Sequence, residues 1–285
     1  MFIHLKHRII KIIEAIPFLQ IFIYNNLRYF KFLFPHDKDY YALKLLFNKN
    51  EKRSFIDVGG NIGLSSIGFR ELGFLKNKIH IFEPDDYLIK SYLDKIKKNY
   101  PNLIIYKFGL SDKDYSSKLY KAFYKGIFFH FNNSFSKEYI KNKLFENYGK
   151  KSNKFEIKSS TLKLKKFDNL KIEDDVCFIK IDVEGLDHLV IYGMKNLIKK
   201  NTPVFLVEYN VVNFTKIYTF LEKNYDCYFY NFDKNKLKKF TKPEIKKLKT
   251  GVIFEERFKK NSVNVFFIKK NSFSHYNPDK IPISL

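Results

Sequence analysis

Apolar residues follow two rhythms along this chain, and the change from one to the other divides it. Residues 1–48 keep a helical spacing: Ile9, Ile12, Ile13 and Ile16, then Tyr41, Leu43, Leu45 and Leu46, mark apolar faces on either side of a break at Phe34-Pro35-His36-Asp37. This pattern predicts two or three helices ahead of the core. From residue 54 the rhythm becomes short, β-rich apolar runs at 54–58, 79–83, 103–108, 176–183 and 203–209. Helical stretches at 64–72, 87–99, 186–199 and 214–224 separate them. Alternation of this kind predicts right-handed βαβ crossovers, hence an α/β, Rossmann-like fold with a mainly parallel sheet and helices on both faces. The last two runs, 227–232 and 262–269, lack a long helix between them and suit an antiparallel pair that finishes the sheet. Residues 234–249 are a Lys-rich, solvated excursion on this reading.

Residues 115–170 interrupt the alternation with aromatic and polar sequence: 123–131, then Asn132-Asn133-Ser134-Phe135, then a strand-like 155–167. They are expected to be an insertion over the carboxyl edge of the sheet, with Asn133 and Ser134 lining the cleft for an acceptor. One domain over 49–285, preceded by an extension over 1–48, suits 285 residues, which are too few for two independent enzymatic cores.

Composition narrows the picture. With 45% hydrophobic and 18% aromatic residues the chain has material for a packed core, which excludes wholesale disorder. A net charge of +23 raises a nucleic-acid or anionic-membrane partner. Only five of the 53 basic residues are arginine (Arg8, Arg28, Arg53, Arg70, Arg257), whereas phosphate and base readers lean on bidentate arginine. Lysine spread along the whole chain, beside many Asn, Ile, Tyr and Phe and no Trp, favours an A+T-rich coding bias over a selected polyanion site, so no specific nucleic-acid partner is expected. The basic, amphipathic first helix (Lys6, His7, Arg8, Lys11) has two readings, peripheral contact with an anionic membrane or packing on its own domain. Residues 9–24 are interrupted by Lys11, Glu14, Pro17 and Gln20, so they form no membrane span, and Asn25-Asn26-Leu27-Arg28 replaces a signal cleavage site. Cys177 and Cys227 fall in buried strand-like runs, suggesting neither a disulfide framework nor a metal cluster and suiting a reducing cytoplasm.

Four segments carry chemistry. Phe55-Ile56-Asp57-Val58-Gly59-Gly60-Asn61-Ile62-Gly63 is an apolar strand running into a Gly-rich turn that opens a helix, an arrangement that lets backbone approach a nucleotide-like cofactor. Asn61 stands where the dinucleotide fingerprint G-x-G-x-x-G would need its second glycine. Ile79-His80-Ile81-Phe82-Glu83-Pro84-Asp85 ends a second strand in a carboxylate, and an acid at that tip accepts from both ribose hydroxyls. In Gly109-Leu110-Ser111-Asp112, Ser111 or Asp112 can meet an adenine amino edge, although Ser-Asp is equally ordinary turn chemistry. Lys180-Ile181-Asp182-Val183-Glu184-Gly185 places two carboxylates, Asp182 and Glu184, at i and i+2 on a strand end, where open α/β sheets bind ligands.

Taken in order, these segments resemble the FkbM-type S-adenosylmethionine-dependent methyltransferases over roughly residues 54–209. Asp57 to Gly63 is similar to the family's cofactor motif, Phe82-Glu83-Pro84 to its ribose strand, and Leu110-Ser111-Asp112 to its third segment. Lys180 to Gly185 followed by residues 204–208 is similar to its most diagnostic stretch. Asp187 stands where the family usually has Glu, and Thr161-Leu162-Lys163 lacks the Asp of the family's Thr-Leu-Asp segment. The resemblance implies S-adenosylmethionine as cofactor, held by Asp57, Gly59, Asn61, Gly63, Glu83, Ser111, Asp112 and Asp182. It also implies methyl transfer to a hydroxyl of a sugar, glycan or glycosylated small molecule. Asp182 would then sit beside the methionine part, and Glu184, or Asp187 with His188, would face the acceptor, with Glu208 as a further acceptor-side carboxylate. An RNA methyltransferase and a non-catalytic nucleotide-binding domain are the alternatives. The first is disfavoured by the absence of an Asn-Pro-Pro-Tyr type motif, the second by the missing fingerprint and the Asp182/Glu184 pair.

Overall fold

The computed structural model describes residues 35–183, 185–251 and 264–272. The helices expected within 1–34, including the basic amphipathic one, lie outside the described residues. A 3-10 turn, Lys38–Ala42, leads into α1 (Leu43–Leu46). There follow β1 (Ser54–Val58), α2 (Leu64–Glu71), β2 (Ile79–Phe82), α3 (Asp86–Leu88), a π turn over Ile89–Leu93, α4 (Asp94–Asn99), β3 (Leu103–Tyr106) and β4 (Gly109–Ser111). Next come β5 (Tyr115–Tyr124), β6 (Ile127–Ser134), α5 (Lys137–Tyr148), β7 (Phe155–Lys166), β8 (Val176–Ile181), α6 (Asp187–Tyr192) and α7 (Lys195–Asn201). The chain continues through β9 (Val204–Glu208), α8 (Val211–Leu221), β10 (Tyr225–Asn231), β11 (Lys236–Lys239), α9 (Lys242–Thr250) and β12 (Asn264–Lys269).

Residues 35–114 together with those from 164 onward make one compact unit, and residues 115–163 make another. In the larger unit eight strands form a sheet in the order β11-β10-β12-β9-β8-β1-β2-β3. The five strands from β9 to β3 run parallel to one another, as the alternating pattern predicts, which gives the Rossmann-like α/β fold. β1 lies between β2 and β8, with Val58 level with Phe82 on one side and Ile181 on the other, so their carboxyl ends open onto one edge. Side chains from the two faces of these strands enter two separate cores. Phe55 and Phe178 meet Phe69 of α2 and Phe47, while Ile56, Val58, Ile179 and Ile181 share a core with Val190, Ile191, Phe214 and Ile217. Burial on both faces is why these strands are continuous apolar runs rather than alternating ones.

Several expectations need correction. β10 and β12 are antiparallel neighbours as expected, but β12 lies inside, pairing also with β9. Residues 234–249 are not a solvated excursion: β11 pairs with β10, and α9 is started by a Thr241/Glu244 capping box. Buried Leu237 and Leu248 anchor them, and the surrounding lysines hide so thin an apolar signal. The helix expected over 186–199 is two helices broken at Gly193, whose backbone lies so close to the Ser111 carbonyl that no Cβ fits there. α8 begins three residues earlier than its apolar spacing suggests, because the Asn210 side chain caps the N–H groups of Val212 and Asn213.

The smaller unit is built on a hairpin. β5 and β6 pair antiparallel around Lys125-Gly126, both at positive φ, and β7 adds to the free side of β5. On one sheet face Ile140, Leu144 and Tyr148 of α5 pack with Ala122 and Phe129. The last residues of β7, Leu164–Lys166, pair in parallel with β4 within the larger unit.

Candidate functional site

The Gly-rich turn is drawn tightly around the end of β1. Gly59 and Gly60 donate to the Phe82 carbonyl at 3.0 and 3.3 Å, and Asp182 donates to the Val58 carbonyl at 3.1 Å. Gly59 has φ +82°, and a Cβ there would collide with the Asp182 carbonyl, so only glycine fits. Asn61 accepts the left-handed conformation at φ 48°, and Gly63 at φ +83° leads into α2. Glu83, expected at the tip of β2, lies beside this turn and is buried. Its Oε2 accepts the Asn61 N–H at 2.8 Å and its Oε1 the Asp85 N–H at 2.9 Å. One carboxylate thus holds both the Gly-rich turn and the exit from its own strand. A charged acceptor serving two backbone donors is a strong restraint, and a carboxylate has further acceptor capacity.

The α2 face of the sheet brings a charged cluster to the same edge. Asp57 is wholly buried and supports the turn from beneath: Oδ2 accepts from Ser66 Oγ at 2.8 Å, and Oδ1 lies 3.6 Å from Lys180 Nζ. Lys180 also reaches Asp182 Oδ2 at 3.3 Å and the Gly59 carbonyl at 3.4 Å. Burial alone lowers the Lys180 pKa, but Asp182 and Asp57 more than reverse this, so it stays a cation. Burial raises the Asp57 pKa against the pull of Lys180. Two carboxylates around one ammonium leave a formal charge of −1, and the Asp182 side chain is 46% exposed at the outer end.

His36 and Asp37 join this cluster, and no motif had pointed to them beyond the break at Pro35. His36 is exposed at the rim of this cluster, where desolvation, then Lys180, lowers its pKa. Asp37 Oδ2 and Asp39 Oδ2 share Asn264 Nδ2 at 2.6 and 2.9 Å. Burial, then the charge of Asp37, raises the Asp39 pKa to about 8.

The opposite face supplies a second polar chain. Buried Asp187 accepts the Val183 N–H on Oδ1 at 3.1 Å and Asn213 Nδ2 on Oδ2 at 2.7 Å. Asn213 Oδ1 lies 2.7 Å from His188 Nδ1, and His188 Nε2 lies 3.2 Å from Lys216 Nζ. Burial, then Asp182, raises the Asp187 pKa to about 6; burial lowers that of His188 despite its bond to Asn213. Asp187 and His188 were expected here. Asn213 and Lys216 were not, and the Asn210 cap that puts both in the first two turns of α8 is the signal that would have found them.

The remaining expected residues are placed as follows. Glu184 lies outside the described residues. Ser111 is buried in β4 and its hydroxyl donates to Asp112 Oδ1 at 3.2 Å; Asp112 acts electrostatically on His188. Glu208 is exposed at the end of β9, level with Asn264 of β12. Asn133 and Ser134 belong to the smaller unit and are buried, with Asn133 Nδ2 donating to the His130 carbonyl at 3.0 Å. The free Cys177 and Cys227 are buried in β8 and β10. Among the described residues no helix is long and apolar enough to cross a membrane.

Comparison with known proteins bears on this edge. No curated protein matches the chain. Eight chains of solved structure do, among them a crystal structure of an FkbM methyltransferase from Methylobacillus flagellatus KT. It shares 14% identity over 81% of this chain at a TM-score of 0.48, and this chain spans only 48% of its length. Another is a precorrin-6y C5,15-methyltransferase from Geobacter metallireducens GS-15, 15% identical over 67% of this chain and 71% of that one, at a TM-score of 0.35. Residues 57–229, from Asp57 beneath the Gly-rich turn to Phe229 in β10, match the methyltransferase FkbM domain. That match takes in more than half of the chain, with Asp57, Glu83, Lys180, Asp182, Asp187 and Asn213 inside it, and the chain belongs to the FkbM methyltransferase family.

Proposed function

We propose that this methyltransferase uses S-adenosylmethionine to methylate a hydroxyl on a sugar, a capsule- or lipopolysaccharide-type surface glycan or a glycosylated small molecule. The observation that carries the cofactor reading is the convergence of Glu83, the 59–63 turn and Asp182 on one sheet edge. Glu83 beside a backbone turn suits ribose hydroxyls, and Ser111 with Asp112 suits an adenine edge. The formal −1 charge of the Asp57, Lys180 and Asp182 cluster suits a cationic sulfonium, with exposed Asp182 toward the methionine part.

When bound, the cofactor supplies an electrophilic methyl group for in-line attack. The protein's part is to align the acceptor hydroxyl and take its proton. Glu184 is assigned that proton, with Asp187, His188 and Glu208 as the other groups within the acceptor side of the reading. Asn133 and Ser134 are assigned to acceptor contact. Action in the cytoplasm suits two free, buried cysteines. Calorimetry with S-adenosylhomocysteine and NAD tests the reading: binding of the first and not the second is expected, and preference for NAD would sink it.

A further inference from the structure

Lys180 opens the most diagnostic motif of the chain without a role of its own, yet its ammonium is where three parts of the site meet. It is level with Asp57 of the neighbouring β1, so the two side chains share one face of the sheet. Four methylenes carry Nζ to 3.6 Å from Asp57 Oδ1, 3.4 Å from the Gly59 carbonyl and 3.3 Å from Asp182 Oδ2. The lysine and Asp57 are buried, whereas Asp182, the first residue beyond β8, is exposed.

A buried ion pair is a poor way to gain stability, because an apolar pair of similar volume fills the same space without the desolvation cost. Asp57 and Lys180 are such a pair, with Ser66 Oγ on the other Asp57 oxygen. What the ammonium adds is its hold on a third group. Among the described residues Lys180 is the only cation within ion-pair distance of the Asp182 carboxylate. An exposed carboxylate left to itself samples several rotamers. An ammonium fixed by burial selects the one beside the Gly-rich turn, whose Gly59 carbonyl the same ammonium also meets.

We propose that Lys180 is a positioning residue: it fixes the Asp182 carboxylate beside the sulfonium, so that the site tells cationic S-adenosylmethionine from its neutral product, S-adenosylhomocysteine. The two ligands differ by one methyl group and one unit of charge, and a carboxylate held in place is a feature that separates them. A site that favours the cation sheds the spent cofactor, which limits inhibition by product. This rests on the S-adenosylmethionine reading above and adds what sets the preference between its two forms.

Calorimetry of the full chain with each ligand in turn, without acceptor, tests it through the ratio of the two affinities, which a merely structural loss leaves unchanged. Asp182→Asn should lower the preference for S-adenosylmethionine by about three- to tenfold, the scale of an ion pair at a partly exposed carboxylate. Lys180→Met alone leaves Asp57 buried without its cation and endangers the fold. The deciding protein is therefore Asp57→Asn, Lys180→Met, which removes the buried pair together, keeps an acceptor for Ser66 and retains the native formal charge of −1 on Asp182. It should lose the preference as Asp182→Asn does, although its charge is native. A native or raised ratio in the double variant, or a native ratio in Asp182→Asn, overturns the proposal and leaves the cofactor reading standing. Failure of the native protein to bind either ligand sinks that reading, and the proposal with it.

Discussion

His188 Nδ1 and Asn213 Oδ1 lie 2.7 Å apart, and the other end of that amide is already committed to Asp187. A carboxylate only accepts, so Asn213 must turn its NH2 to Asp187 and its oxygen to His188. The imidazole must then carry its proton on Nδ1. Its lone pair is on Nε2, where Lys216 donates.

Nitrogen-15 NMR of the neutral imidazole should therefore show His188 as the Nδ1–H tautomer. Asn213→Leu removes the constraint and leaves the buried Asp187 Oδ2 without its donor, at a cost of about 1–3 kcal/mol in stability. A dominant Nε2–H form in the native protein would overturn the assignment and free Nδ1 as the basic nitrogen.

Asp187 also sets a pH dependence. Its native pKa is raised to about 6 from an ordinary 3.8, chiefly by burial and next by Asp182, so between those values the folded state holds a proton that the unfolded chain has lost. Its contribution to stability is thus greatest below about pH 4 and is lost as pH rises through 6, by on the order of 3 kcal/mol. Asp187→Asn cannot titrate there, so it lacks this slope, and it loses a bond at every pH, which offsets its level. Denaturant melts of both proteins at several pH values from 4 to 7 should converge or cross as pH rises; parallel curves would remove Asp187 as the titrating group.

The strands around the site were legible because β1, β2, β8 and β9 are buried on both faces and their ends carry turn and acid signals. Glu83 and Asp182 follow from those ends. What the sequence concealed depends on contacts between distant segments. His36 acts with Lys180, and Asp37 with Asn264, 227 positions away, so no spacing rule joins them. Asn213 carries no motif, and its meaning comes from the Asn210 cap and from Asp187 across the helix interface. β11 escaped notice because only Leu237 on it is buried.

Glu184→Gln and Asp182→Asn should fail differently. Asp182 directly follows β8, and in the proposed reading it meets the cofactor while Glu184 meets the acceptor. The Glu184 change keeps shape and removes basicity, so S-adenosylhomocysteine affinity should survive while turnover falls about 100-fold. The Asp182 change removes a Lys180 contact and should weaken cofactor binding too. Near-normal turnover in Glu184→Gln would move the base to Asp187, His188 or Glu208.

Glu83 gives the sharpest contrast between shape and charge. Its two oxygens accept the N–H groups of Asn61 and Asp85, so both faces of the carboxylate meet donors. Glutamine has nearly the same shape, but one of its faces is an NH2, and wherever the amide turns, a donor meets a donor. Glu83→Gln should therefore be about as harmful as Glu83→Ala, each losing about 1.5–3 kcal/mol of cofactor binding from lost charged hydrogen bonds and a loosened turn. Calorimetry with S-adenosylhomocysteine measures the loss, and faster amide exchange at Asn61 or Asp85 in both variants locates it. If glutamine retains native affinity and native exchange at both amides, Glu83 acts by filling space, and the turn at 59–63 is held by Gly59 and Gly60 on the Phe82 carbonyl instead.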